Sequence, residues 1–239
     1  SFSITVQNDA PSNHFNTVIY TGAGGTETIT GVGFTPGLTW IKNRNSGTPG
    51  YSHQLYDSVR GVGSSKNLRS DSSSSQGVDA NLYGYLSSFN NDGFIVQSGT
   101  SSGYNNIWTN QNGQDFVAWN FKAGGAAVAN TEGTTNSQVS VNNTLGFSIV
   151  EYTGPSALNP GHGLDGAPDL IITKGASAVE DWYIYNSING TGKYLSFTRN
   201  DQGGGTGTDG IQSNANTFST VNATSFTTQV TSASLTYIA

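Results

Sequence analysis

Catalysis needs a nucleophile with a base, a metal-ligand set or a pair of carboxylates, and this 239-residue chain offers few candidates for any of these. It has no cysteine, which removes thiol chemistry, disulfides and Cys-ligated metal. Its three histidines, His14, His53 and His162, are far apart, and no Gly-x-Ser-x-Gly elbow is present to seat a nucleophilic serine. His162 lies between two glycines and reads as an exposed turn residue; His53, in Tyr51-Ser52-His53-Gln54-Leu55-Tyr56, reads as a packing ring. Glycoside hydrolysis would need two acids held about 5 to 9.5 Å apart. The acids from Asp57 to Asp209 are dispersed, and the sequence singles out no pair among them. Asp92 and Asp115 stand beside turns or strand starts, where carboxylates accept bonds from backbone N–H groups. Gly204 to Gly210 resembles one turn of a calcium-binding nonapeptide repeat, but it lacks the stacked neighbour that completes such a site. No catalytic residue, metal or cofactor is therefore expected.

The aromatic residues are more informative. Four Trp, 11 Tyr and 11 Phe supply most of the large apolar area, so most of them belong to the core. Tyr83, Tyr85, Tyr104 and Trp108 occur instead in polar, loop-like surroundings. Rings placed there suit stacking on sugar faces while neighbouring amides and hydroxyls bond the sugar hydroxyls. These four are the expected glycan contacts.

The elements that must position them are short strands. Thr17–Tyr20, Leu38–Lys42, Phe94–Val96 and Phe116–Phe121 alternate or follow turn signals, and nothing sustains a 3.6-residue period. Phe15–Lys42 aligned without a gap on Phe147–Lys174 matches at Phe15/Phe147, Val18/Val150, Tyr20/Tyr152, Thr21/Thr153, Gly22/Gly154, Gly31/Gly163, Pro36/Pro168, Leu38/Leu170 and Lys42/Lys174. Chance would give roughly two or three such identities. The likeness resumes at Tyr56-Asp57-Ser58-Val59 with Tyr185-Asn186-Ser187-Ile188, and at Phe116-Val117-Ala118 with Tyr237-Ile238-Ala239. In the second half, Phe147–Tyr152, Asp169–Thr173, Trp182–Tyr185, Tyr194–Thr198, Ser225–Val230 and Leu235–Ile238 are the strand candidates. The expected fold is all-β: two tandem, internally repeated β-sandwich modules of jelly-roll or lectin-like type. Residues 1–14 would be an N-terminal arm, 15–122 the first module, 123–143 a linker or surface meander, and 144–239 the second module. That module ends at Ala239 where the first continues into Trp119-Asn120-Phe121, so the chain is expected to be a piece of a longer one. Ser70–Ser75 and Gln202–Gly210, low in complexity, read as exposed loops.

Charged residues make up only 10% of the chain, and its nine Lys and Arg are scattered under a net charge of −6. Without a basic stripe to track a phosphate backbone, nucleic-acid binding is not expected. No run of about 18 apolar residues is present, so no membrane-spanning helix is expected either. The polar character comes from hydroxyls and amides, which suit a polar, wet interface.

The runs Phe15–Gly22, Val32-Gly33-Phe34-Thr35-Pro36, Trp40-Ile41-Lys42-Asn43-Arg44, Leu55–Gly61, Asn91-Asp92-Gly93-Phe94 and Val117–Gly125 resemble a repeat module of tail-fibre-like virion proteins from marine bacteriophages and cyanophages. A weaker version recurs around Gly161-His162-Gly163-Leu164 and Ala167-Pro168-Asp169. The resemblance brings no catalytic signature. It implies a virion surface location and a tail fibre or fibre-like appendage that contacts host cell-surface glycan without catalysis. It further implies a homo-oligomer, with a trimer favoured, and attachment to other virion proteins through residues 1–14. Two alternatives remain open at this point: a capsid decoration or head-fibre protein of purely structural role, and a polysaccharide-degrading tail enzyme.

Overall fold

Period-two alternation along Phe15–Thr21 turns Val18 and Tyr20 inward and Thr17 and Ile19 outward, and this segment is the first strand, β1. The computed structural model describes residues 10–45, 51–154, 158–198 and 211–228, together with the backbone of 235–238. After β1 the first half contains β2 (Glu27–Ile29), β3 (Leu38–Asn43), β4 (Gln54–Asp57), one helical turn α1 (Ala80–Tyr83), β5 (Tyr85–Asn90), β6 (Gly93–Gln97) and β7 (Asp115–Phe121). The second half contains β8 (Val128–Asn130), β9 (Ser137–Asn142), β10 (Phe147–Gly154), β11 (Leu170–Gly175), β12 (Trp182–Asn186), β13 (Lys193–Tyr194), β14 (Gln212–Ser213) and β15 (Leu235–Ile238). Among the described residues every strand pairing is antiparallel and no sheet closes on itself. The fold is all-β.

In the first half a four-stranded sheet, β1-β7-β3-β4, faces a three-stranded sheet, β2-β6-β5. Ile41, Tyr56, Phe116 and Ala118 from the former meet Ile29, Leu86, Phe94 and Val96 from the latter in one buried cluster. This is a β-sandwich held by apolar burial between two alternating faces. In the second half a six-stranded sheet, β12-β11-β15-β10-β9-β8, is covered on its inner face by Leu158, Tyr194, Phe218 and Phe226. The covering layer is mostly loop, held by isolated bridges and the β13–β14 ribbon.

Four strands of each large sheet follow the same order, β1-β7-β3-β4 and β10-β15-β11-β12. Their registers also correspond. Tyr20 faces Phe116 as Tyr152 faces Tyr237; Lys42 faces Val117 as Lys174 faces Ile238; Leu38 faces Asp57 as Leu170 faces Asn186.

Some segments differ from the sequence expectation. Residues 123–143 are not simply a linker: β8 and β9 extend the second sheet, because Val139 buries its side chain against Val150 in that sheet's core. Ser70–Ser75 is not a free loop. The Ser73 carbonyl accepts from Glu180 N (2.9 Å) and Lys174 Nζ (3.2 Å), and the Arg69 and Ser72 carbonyls accept from Trp182 Nε1 at 2.9 and 3.1 Å. The strand expected over Tyr194–Thr198 is confined to β13, and Ser225–Thr228 makes only isolated bridges. Residues 1–9 of the expected arm and the Gln202–Gly210 loop lie outside the described residues.

The two halves meet through the outward faces of their large sheets. Trp182 and Ile172 of the second sheet pack on Trp40, Leu55 and Leu68 of the first half, and Phe121 stacks on Phe147 with ring centroids 5.2 Å apart.

Candidate functional site

The four aromatic residues singled out by sequence do not form one open surface. Trp108 is only 3% exposed. Its ring lies against Tyr83 (4.9 Å between centroids) and under the Arg69 guanidinium at 5.2 Å, in a cluster that also includes Ala80, Ile107, Tyr51 and Tyr85. Tyr85 donates no bond outward; its hydroxyl bonds Gln97 Oε1 at 2.9 Å. Tyr83, Tyr85 and Trp108 are thus brought together as packing around α1, while Tyr104 stands apart at 46% exposure. Trp108 Nε1 is buried without a partner among the described residues, so the cluster is not fully satisfied as a core.

His162 is not the exposed turn residue expected from its two glycines. It is 2% exposed, with Nδ1 accepting from Leu164 N and Nε2 within 3.1 Å of the Asn222 carbonyl. Burial lowers its pKa. His53 accepts from Trp40 Nε1 at 2.8 Å and meets that ring edge-on, and burial and the Lys42 charge lower its pKa. Both imidazoles are committed to structure.

The acids also serve local geometry. Asp92 accepts from Gly33 N (2.6 Å) and Gly31 N (3.1 Å), which hold its carboxyl below the usual range. Asp115 accepts from Thr21 Oγ1 at 2.9 Å across the β1–β7 pair. Asp57 and Arg60 form an ion pair with both side chains 1% exposed, and Arg60 also bonds the Lys66 carbonyl and Gln76 Oε1. Glu151, across the seam, has its pKa raised by burial first and by the Asp57 charge second. Asp57 is not a free partner for Glu151, because it is spent on Arg60 and on the N–H groups of Val59 and Arg60. Among the described residues no three His, Asp or Glu side chains converge as metal ligands.

A concave feature lies elsewhere among the described residues. An open cleft of about 980 Å³ runs between the 33–37 loop with Asn91 on one side and residues 141–143 of the β9 end on the other, floored by 122–126 and ended by His14. Its size is at the upper end of small-ligand sites, which span about 300–1,000 Å³. Small residues shape it. A Cβ on Gly37 would collide with Ala123, and one on Gly124 would collide with the Val141 carbonyl. Hydrogen bonds pin the floor: Lys122 N donates to the His14 carbonyl at 2.7 Å, and Asn142 Nδ2 donates to the Lys122 carbonyl at 3.0 Å. Phe34, Pro36 and Phe89 supply apolar wall, and Thr35, Ser58, Asn91 and Asn143 supply hydroxyls and amides. Phe34 and Pro36 are largely buried in that wall and Phe89 is half-buried, so the chemistry on offer is hydrogen bonding beside a modest apolar surface.

The family described as a domain of unknown function (DUF7483) matches residues 10–239. The chain belongs to that family. The match runs unbroken across both large sheets, the seam and every wall of the cleft, so the family domain comprises both halves together. No curated protein and no solved structure matches the chain. Sequence reasoning missed the cleft, whose walls come from separated segments. The available signal was the small-residue run Ala123-Gly124-Gly125-Ala126, read as linker composition when two of its residues mark close backbone approach.

Proposed function

We propose that this protein is a non-enzymatic surface component of a bacteriophage virion, a tail fibre or fibre-like appendage, that contacts host cell-surface glycan. The observation that carries the binding part is the cleft: open, amide- and hydroxyl-walled, and built from loops that leave the ends of the strands. Sugars are bound by such combinations of planar apolar wall and hydrogen-bonding side chains. The virion part rests on the resemblance of Trp40-Ile41-Lys42-Asn43-Arg44 and its companion runs to tail-fibre-like modules. The reading of two repeated modules is supported by the common order and register of the two four-strand sets. Trimeric assembly and attachment through residues 1–14 complete the proposal.

A capsid decoration role is the second reading. It is favoured by β1, which lies at the sheet edge, pairs only with β7 among the described strands, and leaves Ile19 65% exposed. Such an edge can be capped by a neighbouring subunit.

The test is binding of the purified protein to host cells before and after periodate oxidation of their glycans, with the oligomeric state determined on the same sample. Saturable binding lost on oxidation is the expected result. An assembled oligomer that does not bind host cells would put the decoration reading first.

A further inference from the structure

We propose that the cleft takes an anionic glycan, a saccharide bearing carboxylate or sulfate groups, with Lys122 as its charge partner. The inference rests on the glycan reading above and adds the class of sugar. The chain carries 15 acids against nine Lys and Arg, so its overall field repels anions. The cleft departs from that balance. No carboxylate lines it, and its ionisable lining residues are Lys122 and His14. Two carboxylates stand outside the lining: Asp92 accepts from the N–H groups of Gly31 and Gly33, and Asp165 accepts from Asn143 Nδ2 at 2.9 Å; such bonds leave the negative charge in place, so the positive charge on offer is confined to the lining itself.

Lys122 is positioned as well as present. Its backbone is held on both sides, by the bond from its N–H to His14 and the bond to its carbonyl from Asn142. Its stem therefore leaves a fixed point on the cleft floor. Among the described residues no carboxylate pairs with its ammonium. A neutral sugar would gain only an ion–dipole hydrogen bond from a cation there, and a cationic ligand would be repelled by it. A sugar acid or sulfate ester would form a charge-assisted hydrogen bond with it, the stronger kind. In the walls, Asn91 Nδ2 and Asn143 Oδ1 are the amide atoms outside the Thr35 and Asp165 bonds that sugar hydroxyls could meet.

The experiment uses the full chain and three defined polysaccharides: alginate, which carries only carboxylates; carrageenan, which carries only sulfates; and dextran, which is neutral. Binding is measured by affinity electrophoresis and calorimetric titration for the native protein, Lys122→Gln and Lys122→Arg, with thermal melts run on each. The native protein should bind alginate or carrageenan and not dextran, and which of the two binds identifies the acidic group. Binding should weaken as salt is raised, since screening shortens the reach of the charge. Lys122→Gln should lose roughly tenfold in affinity, the worth of one charged hydrogen bond, and Lys122→Arg should retain most of it. Equal binding of dextran, or an unchanged Lys122→Gln with a native melt, would overturn the anionic assignment and leave the glycan reading standing. Failure to bind any of the three by a protein that also ignores host cells would remove both.

Discussion

A buried ammonium is among the costliest groups a fold can hold. Lys174 is fully buried at the seam, where its Nζ donates to the Gly175 carbonyl at 2.8 Å and the Ser73 carbonyl at 3.2 Å. Burial lowers its pKa from the ordinary 10.5 to about 8, against the opposing pull of Glu180 and then Asp181. Between those values the unfolded chain keeps a proton that the folded chain has released. The unfolded state binds more protons there, so stability must rise with pH across that window and be level below it. The buried hydroxyls of Tyr20 and Tyr56, whose pKa values burial raises, reverse the sign: above about pH 10 the unfolded chain loses those protons first. The clean interval is therefore pH 8 to 10. Urea unfolding should show the native protein gaining on the order of 1–3 kcal/mol between pH 7.5 and 9.5, and Lys174→Met should lose most of that slope. Lys42, its counterpart in the first sheet, also has a pKa lowered by burial, so a smaller slope should persist in the variant. Identical slopes in the two proteins would show that Lys174 stays charged without penalty.

At the scale of elements, the cleft depends on how closely the 122–126 segment can approach β9. Gly124 sits where a side chain would meet the Val141 backbone, and backbone cannot yield as a flexible side chain can. Gly124→Ala should push the floor away from β9, lower stability by about 1–3 kcal/mol as overpacking does, and weaken any ligand held between the floor and Asn143. A thermal melt beside a binding titration checks both; an unchanged melt would mean the segment can shift without cost. The same geometry explains what could be read in the sequence. β1, β3 and β7 were legible because residues such as Val18, Tyr20, Ile41 and Phe116 alternate over enough positions to declare a face. β2, β8, β13 and β14 span only two or three residues, too few to alternate; β2 and β8 take their register from the longer β6 and β9, while β13 and β14 pair only with each other. The cleft was illegible because glycine and alanine announce close approach without naming the partner. The aromatic cluster misled for a related reason: Tyr83 and Trp108 have polar neighbours in sequence, yet the loop folds back and turns their rings on one another.

For the whole molecule, the question is whether the two halves behave as one body. A chain with two large sheets could unfold in two steps, but here each half finishes the other. Trp182, on the second sheet, buries its ring against Leu55 and Leu68 and gives its N–H to Arg69 and Ser72 carbonyls of the first half. The 70–76 segment, short of apolar side chains, is ordered against the second half by Ser73, and by Gln76 N, which donates to the Ala176 carbonyl at 2.7 Å. Separation would expose Trp40, Leu55 and Trp182 and leave those backbone groups to water. The seam should therefore couple the halves into a single transition in scanning calorimetry, with calorimetric and van't Hoff enthalpies equal. Trp182→Ala removes one of the two indole rings of the seam and the donor to two carbonyls, a loss of about 3–5 kcal/mol by the usual cost of such a cavity. Because the ring packs on the seam and not in the Tyr152–Phe226 core, the loss should fall on coupling: the transition should broaden or split, with the van't Hoff enthalpy dropping below the calorimetric one. Two transitions in the native protein, or one sharp transition merely moved to lower temperature in the variant, would place cooperativity somewhere other than this contact.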